Sequence, residues 1–223
     1  MLSRRLRAIA DLIPDDYSDI WDCCCDHGQL GFELLQRTSA VVHFVDREKS
    51  LIDAIRGKLE QGLAAPERWR VHCGDVCRIQ LEQQPKPLII IAGVGGNSCI
   101  AMVRSLLLRH PQIDADFLLC PVRQLEWLRA SLSGEGLSLV QDYLLEDRAR
   151  FYEILWIRRG TERPLGSIAQ DVWLPFGALQ NRYLHSRIKY FQHPSIAACP
   201  KNAGALASYL ALRELHSHNC SQT

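Results

Sequence analysis

Nowhere in the 223 residues does an apolar run approach the roughly 18 residues that a membrane-spanning helix requires. The opening stretch, MLSRRLRAIADLIPDD, carries charge where a secretory leader needs an apolar core. The expectation is a cytoplasmic protein with no membrane partner. No charge of one sign dominates either, since the formal net charge is +1. That neutrality hides an asymmetry: residues 148–223 hold ten Lys and Arg against four Asp and Glu. Such a tail suits a polyanion-binding face and suits a solvated helical surface equally. Paired cysteine spacing is also missing. The nine cysteines, an odd number, stand at 23, 24, 25, 73, 77, 99, 120, 199 and 220, mostly in or beside apolar runs. Neither a disulfide framework nor a C-x2-C zinc site fits them, and adjacent Cys23, Cys24 and Cys25 diverge too far to close one tetrahedral site. Reduced, structural thiols and no bound metal are expected.

What is present is an ordinary globular composition, 47% apolar and 23% charged, which argues against disorder and supplies a sizeable core. Strand and helix signals alternate along it. Leu2, Leu6, Ile9, Leu12 and Ile13 fall at helical spacing, with Ser3 available as a cap and Pro14 ending the run. Strands are expected at Tyr17–Cys23, Val41–Asp46, Trp69–Cys73, Pro87–Gly93 and Asp116–Cys120, with helices at 29–36, 48–63, from the GVGG turn to Arg109, and 124–133. Five such units with short apolar strands imply an α/β, doubly wound and mainly parallel sheet covered on both faces. Two antiparallel-type segments, LSLVQDYLLED and RFYEILWIRR, follow and meet near Arg148. After Gly160 the pattern becomes polar and Pro-interrupted, with helices expected at 176–191 and 202–216. The chain therefore divides into a sheet domain, residues 1–160, and a helical C-terminal extension, residues 161–223, able to pack on it.

In an open parallel sheet, ligands bind beyond the carboxyl ends of the strands. Those positions here are Asp22 to Gly28 after the first strand, Asp46 after the second, Gly74-Asp75 after the third, and Gly93 to Asn97 after the fourth. A carboxylate at the end of the second strand holds both hydroxyls of a ribose, which suits Asp46; capping the next helix suits it too. Asp75 lies where an adenine amine would find an acceptor, although Gly-Asp is also an ordinary turn. The first loop lacks G-x-G-x-x-G, which disfavours a dinucleotide and leaves a nucleoside cofactor without phosphates.

Five stretches, SRRL (3–6), DCCCDHGQL (22–30), IAGVGG (91–96), LCP (119–121) and FYEI (151–154), match in order and spacing a family of known pattern. Over residues 2–158 the chain resembles the class I S-adenosylmethionine-dependent methyltransferases, specifically the bacterial tRNA adenine-N1 methyltransferases acting at tRNA position 22. The resemblance implies a seven-stranded Rossmann-like sheet, S-adenosylmethionine as cofactor and tRNA as partner. It places Asp22, Cys24, Cys25 and Gly28 by the methionine part, Asp46 by the ribose, Gly74 and Asp75 by the adenine, and Ala92 and Gly93 by the methyl group. Asp26 and His27 would be catalytic, with Gly95, Gly96 and Asn97 walling the target-base pocket. Phosphate contacts are expected from Arg4, Arg5 and Arg7 of the opening helix and from Arg182, Arg187 and Lys189 of the tail. Where the family has Gly and Ser this sequence has Cys24 and Cys25, so the loop is expected to be denied the unhindered glycine conformation. Glu153, a carboxylate inside an apolar strand, calls for a partner arginine. The rival functions are methylation of a small molecule or protein, and an inactive module that only binds the cofactor.

Overall fold

Ser3 accepts a hydrogen bond from the Leu6 N–H at 3.2 Å and caps the opening helix α1 (Arg4–Leu12), whose Ile9 and Ala10 face the core. The computed structural model describes residues 2–81, 86–174, 176–197 and 202–219, so Cys199 and Cys220 lie outside the described residues. Seven strands follow: β1 (Asp19–Cys23), β2 (Val41–Asp46), β3 (Trp69–Cys73), β4 (Leu88–Ala92), β5 (Asp116–Cys120), β6 (Leu137–Asp147) and β7 (Arg150–Arg159). They form one sheet in the order β3-β2-β1-β4-β5-β7-β6. The first five pair in parallel, and β7 enters antiparallel between β5 and β6. This is the doubly wound sheet that the sequence implies.

Alternation along the strands builds two cores. Ile20, Val42, Phe44, Leu88 and Ile90 pack under α1, α2 (Gln29–Arg37) and α3 (Lys49–Lys58). Trp21, Val45, Ile89 and Ile91 pack on the other face under α4 (Gly96–Arg109) and α5 (Leu125–Leu132). Gly31 sets how closely α2 approaches the sheet, since a Cβ there would lie 2.2 Å from the buried Phe44 ring. The helix expected over 48–63 divides: α3 stops at Lys58, and Leu59–Leu63 widen into a π turn in which Gly62 has φ +92°.

The extension holds α6 (Ala178–Gln192), α7 (Pro194–Ala197) and α8 (Ala203–Asn219). Trp173, Tyr183, Leu184, Phe191 and Tyr209 make a third core, closed by Leu144 of β6 and Phe151 of β7. Buried charges accompany it. Arg129 of α5 donates to Asp142 at 3.0 Å and to Glu153 at 2.8 Å, which supplies the partner that Glu153 calls for.

Candidate active site

The switch in strand order between β1 and β4 opens a cavity of about 640 Å3 at the carboxyl ends of the strands. One wall is the loop from Cys23 to Gly28. Its Cys25 N–H donates to the Val45 carbonyl at 3.1 Å, its Asp26 N–H to Asp46 Oδ2 at 3.1 Å, and its Gly28 N–H to the Cys25 carbonyl at 2.8 Å. These bonds hold three alternate residues, Cys24, Asp26 and Gly28, at φ of 60°, 52° and 71°. Cys24 thus takes the left-handed conformation without being glycine, contrary to the expectation from its side chain. The cost for an L-residue is about 1–2 kcal/mol, and the loop's hydrogen bonds over-determine the shape.

Asp22, Cys24, Cys25, Asp26, His27 and Asp46 all line this cavity, as do Ala92 and Gly93 on the β4 side. Asp22 is buried and accepts the Gly31 N–H at 3.0 Å. Burial pushes its carboxyl up to about 7, opposed by that N–H and assisted by the negative charge of Asp46. Asp46 accepts from the Glu48 N–H at 3.0 Å through its other oxygen, which holds the turn ahead of α3; the helix itself has no side-chain cap, so the capping expected of Asp46 is not made. His27 Nε2 stands 3.6 Å from Asp26 Oδ1, both side chains being largely exposed. Burial raises the Cys24 thiol to about 11, so it is protonated at neutral pH, and its sulfur lies 3.9 Å from that of Met102. From α1, Arg5 reaches across the opening: a Cβ built on Gly93 would lie 3.6 Å from Arg5 Nη2.

The structure does not bring every expected residue to this cavity. Gly28 sits behind it against Ile55. The Gly74 N–H donates to the Asp46 carbonyl at 2.8 Å, and Asp75 caps the turn Val76–Arg78 by accepting the Cys77 N–H at 2.9 Å. That bond holds the Asp75 carboxyl below its ordinary range. Gly95 and Gly96 serve the packing of α4 on the loop before α5, where a Cβ on Gly96 would meet the Gln124 carbonyl oxygen at 2.5 Å. Asn97 faces a separate hollow shared with Gln124, Trp127 and Tyr190. Arg4 and Arg7 are exposed on α1. On α6, Lys189 is exposed and Arg182 pairs with Glu146 at 2.6 Å. Arg187 is drawn inward by Glu126, 2.6 Å away, and lies over the rings of Tyr190 and Phe191. It neutralises a buried carboxylate. Sequence reasoning missed Arg148, which lines the cavity from the β6–β7 turn; the turn position was its only signal. Among the described residues no group of three or more His, Cys, Asp or Glu is placed to hold a metal ion, and Cys23, Cys24, Cys25, Cys73, Cys77, Cys99 and Cys120 are free thiols. No described helix is long and apolar enough to cross a membrane.

Comparison with curated protein sequences finds no match. Solved structures do match. The m1A22 tRNA methyltransferase TrmK of B. subtilis is 19% identical with a TM-score of 0.74, over 96% of this chain and 98% of that one. TrmK of M. capricolum, solved with the cofactor product S-adenosyl-homocysteine, is 15% identical with a TM-score of 0.68, over 98% and 97%. Magnesium protoporphyrin IX methyltransferase of Synechocystis, with bound SAM, is 16% identical with a TM-score of 0.57, over 70% and 79%. At these identities the likeness is one of fold. The model of the family described as methyltransferase domain matches residues 2–155, which takes in α1, all five parallel strands and most of the β6–β7 hairpin, and the chain belongs to that family.

Proposed function

We propose that the protein transfers the methyl group of S-adenosylmethionine to N1 of an adenosine in tRNA, acting in the cytoplasm where that substrate is found. The observation that carries this reading is coverage. Likeness to the TrmK structures extends through the helical extension, whereas likeness to the porphyrin methyltransferase covers 70% of the chain.

The donor set of the cavity supports the cofactor. Asp46 retains lone pairs for a ribose diol beyond the two N–H groups it already accepts. Asp22 and Asp26 suit cationic groups, and the first turn of α2, whose leading N–H groups lack intrahelical partners, suits a carboxylate. The loop after β1 lacks the G-x-G-x-x-G turn that lets a pyrophosphate approach the backbone, which disfavours a dinucleotide. When bound, S-adenosylmethionine supplies a methyl group activated on a sulfonium. The chain's part is then placement of the base. Gly93, lacking a side chain, keeps the strand end open, and Arg5 lies over it. Methylation at N1 leaves positive charge on the ring, which the Asp26 carboxylate stabilises, with His27 orienting it.

The test is incubation with labelled S-adenosylmethionine and bulk tRNA, followed by digestion to nucleosides and mass spectrometry. N1-methyladenosine is expected. Asp26→Asn is expected to lower kcat by about 100-fold without changing affinity for S-adenosyl-homocysteine. If every tRNA nucleoside stays unmethylated, the tRNA reading fails and small-molecule methylation replaces it.

A further inference from the structure

A second cavity of about 390 Å3 shares Ser3, Arg5 and Arg148 with the first and is completed by Asp147, Arg150 and Tyr152. Its chemistry is one-sided. It holds three guanidinium groups, and its single carboxylate, Asp147, already accepts the Arg5 backbone N–H at 3.1 Å. Arg5, Arg148 and Arg150 form no ion pair among the described residues, which they share with exposed Arg4, Arg7 and Arg123, but here three such groups line one cavity. The aromatic member is half-buried Tyr152, with Arg5 Cζ 5.1 Å from its ring centroid and its hydroxyl unpartnered among the described residues.

The backbone that carries these groups is strained. Arg148 and Ala149 form the two-residue turn between β6 and β7, at φ of 52° and 58°. Turns of this shape ordinarily use Asn-Gly, and neither residue here is glycine. The strain lies where the two cavities meet, with Arg148 lining both and Arg150 lining the second. Beyond Arg150 and Tyr152 a further groove continues to the exposed Arg123.

We propose that this second cavity seats the nucleotide bearing the target base. The Arg5–Tyr152 pair provides the flat surface on which the base lies, and Arg148 and Arg150 take the phosphates on either side. This rests on RNA being the substrate. A planar cation on an aromatic ring is a stacking platform for any base, and unpaired guanidinium groups a few residues apart match a phosphodiester strand. An uncharged small molecule would leave those groups unneutralised. Because Ser3 and Arg5 wall both cavities, a base lying on the Tyr152 side presents its edge to the methyl-transfer cavity.

Tyr152→Ala, Tyr152→Phe and Arg150→Gln decide the matter, since neither position lines the first cavity. All three are expected to keep wild-type affinity for S-adenosyl-homocysteine by calorimetry. Tyr152→Ala is expected to lose about 5- to 150-fold in kcat/KM on tRNA, the range for one base–aromatic stack. Tyr152→Phe keeps most of it, because stacking uses the ring. Arg150→Gln is expected to reduce the salt dependence of log KM by a slope of about one, the signature of one lost phosphate contact. If the wild type methylates tRNA while Tyr152→Ala and Arg150→Gln match it, the seat is wrong and the RNA substrate stands. If the wild type methylates no RNA, the substrate reading falls and the seat with it. A Tyr152→Ala protein that no longer binds S-adenosyl-homocysteine is unfolded, and the exposed Arg150→Gln then decides alone.

Discussion

Asp22 combines two demands on one carboxyl. Burial favours its neutral form, which is why its titration is pushed up to about 7, while a cationic ligand in the cavity favours its ionised form. The folded value lies above the unfolded value of 3.8, so Asp22 contributes its full stability below pH 3.8 and loses it as pH rises to about 7. The ligand-free protein should therefore gain from Asp22→Asn by an amount that grows across that window, to at most about 4 kcal/mol. Binding runs the other way: wild-type affinity for S-adenosylmethionine should rise with pH up to about 7, with release of a proton, and the Asn variant should lose that dependence. Thermal melts and calorimetry over pH 4–8 check both, and a wild-type-to-variant difference independent of pH contradicts the assignment.

At the level of elements, the β6–β7 turn offers a direct measure of stored strain. Ala149→Gly relieves a left-handed penalty of about 1–2 kcal/mol and adds about 0.5–1 kcal/mol of unfolded-state entropy. A net gain of up to about 1 kcal/mol, or about 2–4 °C in Tm, is expected from a melt; a loss of about 0.5–1 kcal/mol, the entropy cost alone, would mean the turn carries no strain. How legible such elements are in the sequence depends on what fixes them. The stretches Val41–Asp46 and Asp116–Cys120 have strand ends where the apolar run ends, because inner parallel strands are defined by that run. The edge strand Trp69–Cys73, with no buried residue, is marked instead by the Gly74-Asp75 turn that closes it. The end of α3 was not legible, because Gly62 signals a break without saying how far before it the helix unwinds. The site divides in the same way. Asp22, Asp26, His27, Asp46 and Gly93 follow their strands into the cavity by topology alone. Asp75, Gly95 and Gly96 also follow strands, yet a cap on Val76–Arg78 and the approach of the Gln124 carbonyl take them out of its lining. Those are contacts between segments distant in sequence or specific to one turn, and residue type alone does not encode them. Arg187 is the same case: a basic residue on an amphipathic helix shows its charge in the sequence but not Glu126 beneath it.

Across the whole molecule, the buried carboxylates make the extension part of the sheet body. Asp142 accepts N–H groups of Gln170, Asp171 and Val172 from the extension at 2.9, 2.8 and 3.3 Å, while Glu153 accepts the Tyr183 hydroxyl at 2.6 Å. Arg129 donates to both, so one guanidinium bridges two carboxylates that bind the extension. On the neighbouring turn of α5, Glu126 takes Arg187 and the Tyr209 hydroxyl at 2.9 Å, which ties α8 to the same helix. Burial pushes the Glu153 carboxyl above its ordinary range, and Arg129 opposes that shift. Truncating Arg129 leaves both charges buried without a counterion, a loss of about 3–5 kcal/mol. Arg129→Ala should accordingly melt about 10 °C lower near neutral pH, at about 2–4 °C per kcal/mol. The sign of its pH dependence distinguishes charge from packing. Without the guanidinium, the folded-state titration of Glu153 rises further above the unfolded value, and its stabilising contribution, full below that unfolded value, is lost over a wider range as pH rises. The deficit of Arg129→Ala against the wild type should therefore shrink on acidification, as the carboxylate takes up a proton. A deficit that stays constant between pH 7.5 and pH 5 would mean that Arg129 acts by filling space, and that the extension is held by its aromatic core instead.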